Sequence, residues 1–345
     1  MDLSLSDEQQ ALVGSFTDLL TKHASIERVR ESEPGGFDPV LWTALREIGV
    51  VEMGVPEARG GWGAGLLELA LAAEQVGATV APAPVIEAQV AARLLARLDG
   101  DGSAAALAAA IAGERLVTLA VRPIVGPVAG LVPAAAIADD VLVLDGDRLV
   151  LVPIGDANRR AVDNLAGAPL ADVSLSDAGV GLATGDAAVE AFEAAIDDWL
   201  TLTAAALVGM AASAHRITCE YAVERRAWDV PIGANQGVAH PLADDATAID
   251  GARLLARKAA WEVDRDGPRA RELAAMAFGF AAETARKATY DAIHFHGGYG
   301  FMLESDPQLY YRRARGWSRV WGEPRDAHRR AARARREQRE QEKGA

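Results

Sequence analysis

The chain has 345 residues, 50% hydrophobic, 24% charged and 6% aromatic, with 35 Lys plus Arg against 49 Asp plus Glu for a formal net charge of −14. This length suits two or three domains with an ample core, while so acidic a balance argues against a general nucleic-acid binder, whose affinity rests on Lys/Arg–phosphate contacts. A single cysteine, Cys219, excludes an internal disulfide framework or a four-cysteine zinc site; no long charge-free apolar run predicts a membrane span, and the polar start MDLSLSDEQQ predicts a cytoplasmic protein rather than a secreted one.

The first hundred residues read as helix. Leu5, Leu12, Val13, Phe16, Leu19 and Leu20 recur at helical spacing, with Ser6 or Asp7 as a cap. A second helix begins at Pro39, whose fixed φ suits a first helical position, and runs through Trp42, Leu45 and Ile48 to Gly49. The turn-rich run Val55 to Gly63 interrupts it. Helix resumes over Leu66–Val76, again from Pro84 towards Leu98, and in an Ala-rich stretch from Ser103 to Ala112.

From Arg115 to about Val180 the period becomes extended. Residues 116–121 form a strand candidate, and 141–144 with 148–152 read as a hairpin whose Asp145-Gly146 supplies the positive φ angles. Beyond Asp186 the pattern is helical almost to the end: about 189–226, 236–263 and 269–295, broken by Trp228–Gly233 and Asp264–Pro268. Long helices on short loops predict an antiparallel bundle. The fold class is α+β, with helical residues 1–113, a small β domain over 114–186 and a bundle over 187–345. Between Arg312 and Arg339 stand eleven arginines against three carboxylates, which leaves the rest of the chain near −22. This segment reads as a solvated helix or one that pairs with acidic surface on a partner.

Three signatures carry a resemblance. Tyr221-Ala222-Val223-Glu224-Arg225 with Trp228, Pro231, Ile232, Gln236, His240, Leu242 and Asp244 resembles the Y-A-x-x-R-x-x-F-G-x-P-I-x-x-x-Q-x-x-x-H-x-L-A-D stretch of the acyl-CoA dehydrogenase family. Val55-Pro56-Glu57-Ala58-Arg59-Gly60-Gly61-Trp62-Gly63 resembles its V-P-E-x-x-G-G-x-G. His294-Phe295-His296-Gly297-Gly298-Tyr299-Gly300-Phe301 looks like its Q-x-x-G-G-x-G-F. The resemblance implies an N-terminal helical domain, a middle β domain and a C-terminal four-helix bundle. It also implies FAD, a CoA thioester substrate dehydrogenated at its α,β bond, and an electron-transfer acceptor protein. In that chemistry a carboxylate removes the α proton, and the β hydrogen leaves as hydride to the flavin.

Carried over, Arg225 faces the pyrophosphate of a FAD bound in a neighbouring subunit, where a guanidinium donates two parallel hydrogen bonds. Trp228 packs on the adenine, Gln236 completes that wall, His294 stands at the family's Gln position, and Gly297 and Gly298 let backbone approach. The plain alternative is a solvated Arg225 and glycines that only end a helix. The sequence also departs from the family. Asp229 replaces a Gly and His294 a Gln; Val121–Gly126 stands for T-E-P-x-x-G-S-D; and Leu131-Val132-Pro133 stands for W-I-T, where proline offers neither N–H nor hydroxyl to a flavin ring. Where one branch places its catalytic Glu stand Trp321-Gly322, and where another does stands Trp199. Asp198 beside Trp199 and Glu323 two residues away are substitute candidates, against the plain reading of Asp198 as an exposed first-turn carboxylate. No metal site is expected, Cys219 reads as a packed thiol and His296 as structural.

The short chain, trimmed β domain and missing Glu resemble one subunit of actinobacterial heterotetrameric acyl-CoA dehydrogenases of steroid side-chain β-oxidation, whose partner bears the base and holds the flavin ring. Two other readings stay open: a self-sufficient homo-oligomer using Asp198, and a non-catalytic scaffold of the same fold.

Overall fold

The computed structural model describes residues 4–175 and 179–344. The chain opens with α1 (Asp7–His23), α2 (Ile26–Glu31) and α3 (Pro39–Glu47). The Ser6 hydroxyl accepts from Gln9 N–H while the Gln9 side chain returns to Ser6 N–H, the reciprocal cap that fixes where α1 starts. Pro39 is the first residue of α3, as the sequence suggested, and Asp38 Oδ1 adds a cap by accepting from Val40 and Leu41 N–H. Next come α4 (Leu66–Ala78), α5 (Val85–Arg97) and α6 (Asp101–Ala112), the last closed by Gly113 in the left-handed region at φ +69°.

Seven strands follow: β1 (Val117–Leu119), β2 (Val128–Val132), β3 (Asp140–Asp145), β4 (Arg148–Pro153), β5 (Arg159–Ala161), β6 (Ala171–Ser174) and β7 (Val180–Thr184). One sheet runs β1-β3-β4-β7, with β1 parallel to β3 and the other pairs antiparallel; a second runs β2-β6-β5. The predicted hairpin is β3–β4, in register from Asp140↔Pro153 to Asp145↔Arg148. Its two-residue loop has positive φ at Gly146 alone, so glycine at the first central position, and not an Asp-Gly pair, makes the turn. Val141, Val143 and Val152 from the first sheet meet Ala129, Val132 and Val173 from the second in a small core of their own. The opposite face, through Leu119, Leu142 and Leu149, joins the main core.

The rest is helical apart from one short hairpin. Helix α7 (Asp186–Glu224) has 39 residues, starting three residues before and ending two before the predicted span, and is followed by β8 (Arg226–Ala227), β9 (Val230–Pro231) and α8 (Gln236–Val263). Then come α9 (Ala270–His296), α10 (Asp306–Trp317) and α11 (Pro324–Gly344). Helix α7 is long and apolar enough to cross a membrane by length and composition, but 94% of that window is buried inside the fold, as the central helix of a core must be. It packs on α4 and α5 at one side and on α8 and α9 at the other. Against α4 the two backbones touch: a Cβ on Gly77 would stand 1.8 Å from Ala206 O, and one on Gly209 would stand 1.9 Å from Glu74 O. Glycine is the only residue that permits that approach.

The arginine-rich end is partly internal, which corrects its reading as free surface. Arg313 is buried with its guanidinium 3.1 Å from Glu33, which also binds Arg312 at 2.6 Å. From α11, Arg330 reaches α7, 2.6 Å from Glu193 and 2.7 Å from Asp197. These pairs fasten α10 and α11 to the body of the chain.

Candidate functional site

Helix α7 ends at Glu224, and Arg225 turns into extended backbone at φ −69°, ψ 123°. Its N–H donates to Tyr221 O and its carbonyl accepts from Ile232 N–H, so the chain doubles back at once into β8–β9. The hairpin's two central residues are Trp228 at φ +55° and Asp229 at φ +61°. Both lie in the left-handed region that glycine and asparagine prefer. Arg226 Nη1 donates to Asp229 O at 3.0 Å and braces the turn. The result is a tryptophan 96% exposed at the tip of a tight loop, with Arg225 and Gln236 exposed on either side.

The glycine signature comes to the same end of the bundle. His296, last residue of α9, is buried, and its Nδ1 donates to Ala292 O at 2.7 Å. Its ring stacks on Tyr221, centroids 4.2 Å apart. Burial pushes the His296 imidazole below its usual pKa, so it stays neutral in this packed position. His296 is therefore the structural residue the sequence suggested. Through this stack the Tyr221–Arg225 turn and Gly297–Gly298 are tied together. Gly297 holds φ +61°, ψ −143°, a conformation open to glycine alone, and a Cβ on it or on Gly298 would meet nothing within 4 Å. His294 points elsewhere on α9: it is exposed and stacks near Tyr290, 6.2 Å between centroids. Val223, Val230, Tyr299, Phe301 and Leu303 add an exposed apolar rim, a composition that marks contact surfaces. Arg30 donates to the Leu303 and Glu304 carbonyls and pairs with Asp306 at 2.7 Å, so the loop after the glycines is held down.

Both positions at which the catalytic carboxylate was sought are filled by tryptophan. Trp199 and Trp321 come from chain segments more than a hundred residues apart, yet both pack on Phe278 of α9, at 6.1 and 5.9 Å between centroids. The substitutes are occupied as well. Asp198 is fully buried, not an exposed first-turn carboxylate, and its Oδ2 takes Arg93 Nε at 2.9 Å and Arg97 Nη2 at 2.6 Å. Neighbouring Asp197 is bridged by Arg330 and by Arg271 at 3.1 Å; burial still outweighs those arginines and raises its carboxyl above the usual range. Glu323 pairs with Arg319 at 2.8 Å. Asp198 Oδ2 is thus committed to two guanidiniums rather than open to a substrate proton.

The flavin-ring segments are likewise turned to structural ends. Arg122, in the Val121–Gly126 segment, donates to the carbonyls of Arg319 and Val320 just before Trp321. In Leu131–Ala134, Leu131 and Ala134 hold positive φ, Leu131 N–H donates to Asp172, and Pro133 O accepts from the Thr118 hydroxyl. Among the described residues, no group of three or more His, Cys, Asp or Glu is arranged to hold a metal.

Residues 6–107 match the acyl-CoA dehydrogenase N-terminal domain and residues 195–333 the C-terminal domain. The acyl-CoA dehydrogenase IpdE2 of Mycolicibacterium smegmatis is 30% identical over 338 residues, covering 94% of this chain and 98% of its own. The chain belongs to the acyl-CoA dehydrogenase family. Acyl-CoA dehydrogenase FadE27 of Mycobacterium tuberculosis is 29% identical over 351 residues, covering 91% of this chain and 93% of that protein. A chain of the crystal structure of the ChsE4-ChsE5 complex from the same organism superposes with a TM-score of 0.86 at 26% identity, covering 96% of this chain and 98% of that one. The acyl-CoA dehydrogenase fold read from the three signatures is therefore correct.

Proposed function

We propose that this protein is the subunit of a hetero-oligomeric, FAD-linked acyl-CoA dehydrogenase that grips the ADP end of a flavin whose ring lies in a partner subunit. The partner would supply the base for α,β-dehydrogenation of a CoA thioester. The observation that carries the reading is the pair of tryptophans, Trp199 and Trp321, in the two base positions. A fit of FAD to this chain's own residues divides in the same way. At the ADP end, Arg225 is exposed without a side-chain partner among the described residues, Trp228 offers a free aromatic face, and the Gly297–Gly298 backbone is unobstructed. At the ring end, Pro133 has no N–H to give and its carbonyl is already engaged.

When bound, FAD supplies the hydride acceptor. This chain's own contributions would be binding and orientation. Arg225 would pair with the pyrophosphate, Trp228 would stack on adenine, Gln236 would flank them, and the glycines would admit close backbone approach, while His294, which faces Tyr290, would take no part. A separate electron-transfer protein would reoxidise the flavin. The name of the ChsE4-ChsE5 complex, a pair of different chains, favours a two-subunit assembly over a homo-oligomer.

Co-expression with a longer homologue encoded beside it should yield a yellow complex that oxidises acyl-CoA, and Arg225→Ala should release its flavin. A colourless mixture that does not associate refutes the reading, as does a full complement of FAD with acyl-CoA turnover in this chain alone.

A further inference from the structure

Helix α11 carries arginine on both of its sides, and the two sides differ in what meets them. Inward, Ala327 and Ala331 are buried, and a Cβ on Gly279 of α9 would stand 3.4 Å from Ala327. On that side Arg330 reaches Glu193 and Asp197, and Arg335 lies 3.9 Å from Glu272. Outward, Arg325, Arg329, Arg333 and Arg336 are exposed. At about 100° and ~1.5 Å per residue they fall within roughly 80° of arc and span roughly 16 Å of helix. Arg329 meets Asp326 at 3.3 Å on the exposed surface. Arg325, Arg333 and Arg336 have no ionic or hydrogen-bonding partner among the described residues.

Other surface cations of the bundle are matched within their own helix. Arg216 with Glu220, Arg253 with Asp250, and Lys287 with Asp291 each pair with a carboxylate three or four residues away. In the outer row of α11 the residue three or four places on is another arginine. Like charges at that spacing destabilise a helix. An acidic surface laid along the row would remove that repulsion.

The row also adjoins a face that leads to the flavin. His328 of α11 lies 3.2 Å from Glu283 of α9. From Glu283 the exposed residues of α9 run through Lys287, Tyr290 and His294 to Gly297, roughly 21 Å along the helix. A protein that holds the ring of a FAD gripped near Gly297, and continues along this face, arrives at α11.

We propose that the outer row of α11 docks on a face of the partner subunit that bears carboxylates at helical spacing. The inference rests on the two-subunit reading and adds the charge of the surface that must meet this chain. A nucleic acid is a poorer match, because outside the arginine-rich segment the chain is near −22 and repels a polyanion.

The test is sedimentation of the complex co-expressed with the longer homologue, between about 50 and 500 mM NaCl. Arg333→Glu with Arg336→Glu should weaken assembly about tenfold or more at the low salt and by no more than about threefold at the high. Lys22→Glu with Arg148→Glu changes the net charge equally on other elements and should stay within about threefold throughout. The melting temperature of the isolated Arg variant should hold or rise, since repulsion within α11 is relieved. A fall of several degrees would mean that the row stabilises the fold instead, and overturns the proposal. Equal losses in the two double variants, or a loss that high salt leaves unchanged, overturn it as well. So does self-association of the chain alone, or capture of a DNA duplex by it, that the Arg variant lacks; the occupant would then be a second copy or a nucleic acid. Absence of any complex with the natural chain refutes the two-subunit reading itself, whereas an Arg variant that assembles normally removes this inference alone.

Discussion

Asp198 separates two accounts of this protein. In a self-sufficient enzyme its loss would abolish turnover and leave the fold alone. In the structure it is fully buried between Arg93 and Arg97. Removing the carboxylate by Asp198→Asn leaves two guanidiniums facing each other without a counter-ion, and breaking a buried pair in this way costs about 3–5 kcal/mol. Arg97 keeps some contact with water, its side chain being 28% accessible, so the lower end applies, about 3 kcal/mol. At about 2.1 cal/mol/K of unfolding entropy per residue, that is a fall in melting temperature of roughly 4 °C for a chain of this size. Thermal denaturation followed by circular dichroism measures it, alongside the turnover of a reconstituted complex per bound flavin. A melting temperature unchanged within a degree, together with lost turnover per flavin, would refute the structural role and restore Asp198 as a base.

Gly209→Ala would drive a methyl into Glu74 O, and Gly77→Ala into Ala206 O, so each should cost at least about 1–3 kcal/mol as α4 and α7 are forced apart; a neutral result in chemical denaturation would show that the helices slide freely. Asp229→Gly relieves a left-handed aspartate and should stabilise the chain by up to about 1 kcal/mol, measured by urea midpoint. A lower midpoint would mean that the aspartate is favoured there. Asp245 of α8 is pushed to about 6, first by burial and then by Asp291, despite Lys287 at 2.7 Å. Its raised value means the folded state holds the proton more tightly, so its contribution to stability is complete below about pH 4 and is lost as pH rises to about 6. The stability of Asp245→Asn relative to the natural chain should therefore climb across that window, and a pH-independent difference would contradict it.

The parts legible in sequence were those decided locally. Ser6 and Pro39 each begin a helix by chemistry confined to a few residues. The β3–β4 hairpin announced itself by two apolar runs around a glycine. The three family signatures, spread over the chain, yielded the fold and the two turns at the end of the bundle. Asp198 was misjudged because helical phase says which residues share a face but not what lies opposite; its partners sit on α5, a hundred residues earlier. The arginines of the C-terminal segment look alike in sequence, yet Arg330 is held by Glu193 and Asp197 while Arg333 stands exposed. The meeting of Trp199 and Trp321 on Phe278 needs three distant segments at once, and neither tryptophan alone reveals it.

That aromatic cluster bears on the protein's history. A glutamate placed at residue 199 or 321 would set a charge against Phe278 and the remaining indole, in a site shaped for three rings, and burying it there is costly. Pro133 would still withhold a backbone N–H. On the proposed reading, self-sufficiency would require changes on separate elements, at Pro133 as well as at Trp199 or Trp321. On the proposed two-subunit reading, dependence on another subunit is therefore not undone by one substitution in this chain.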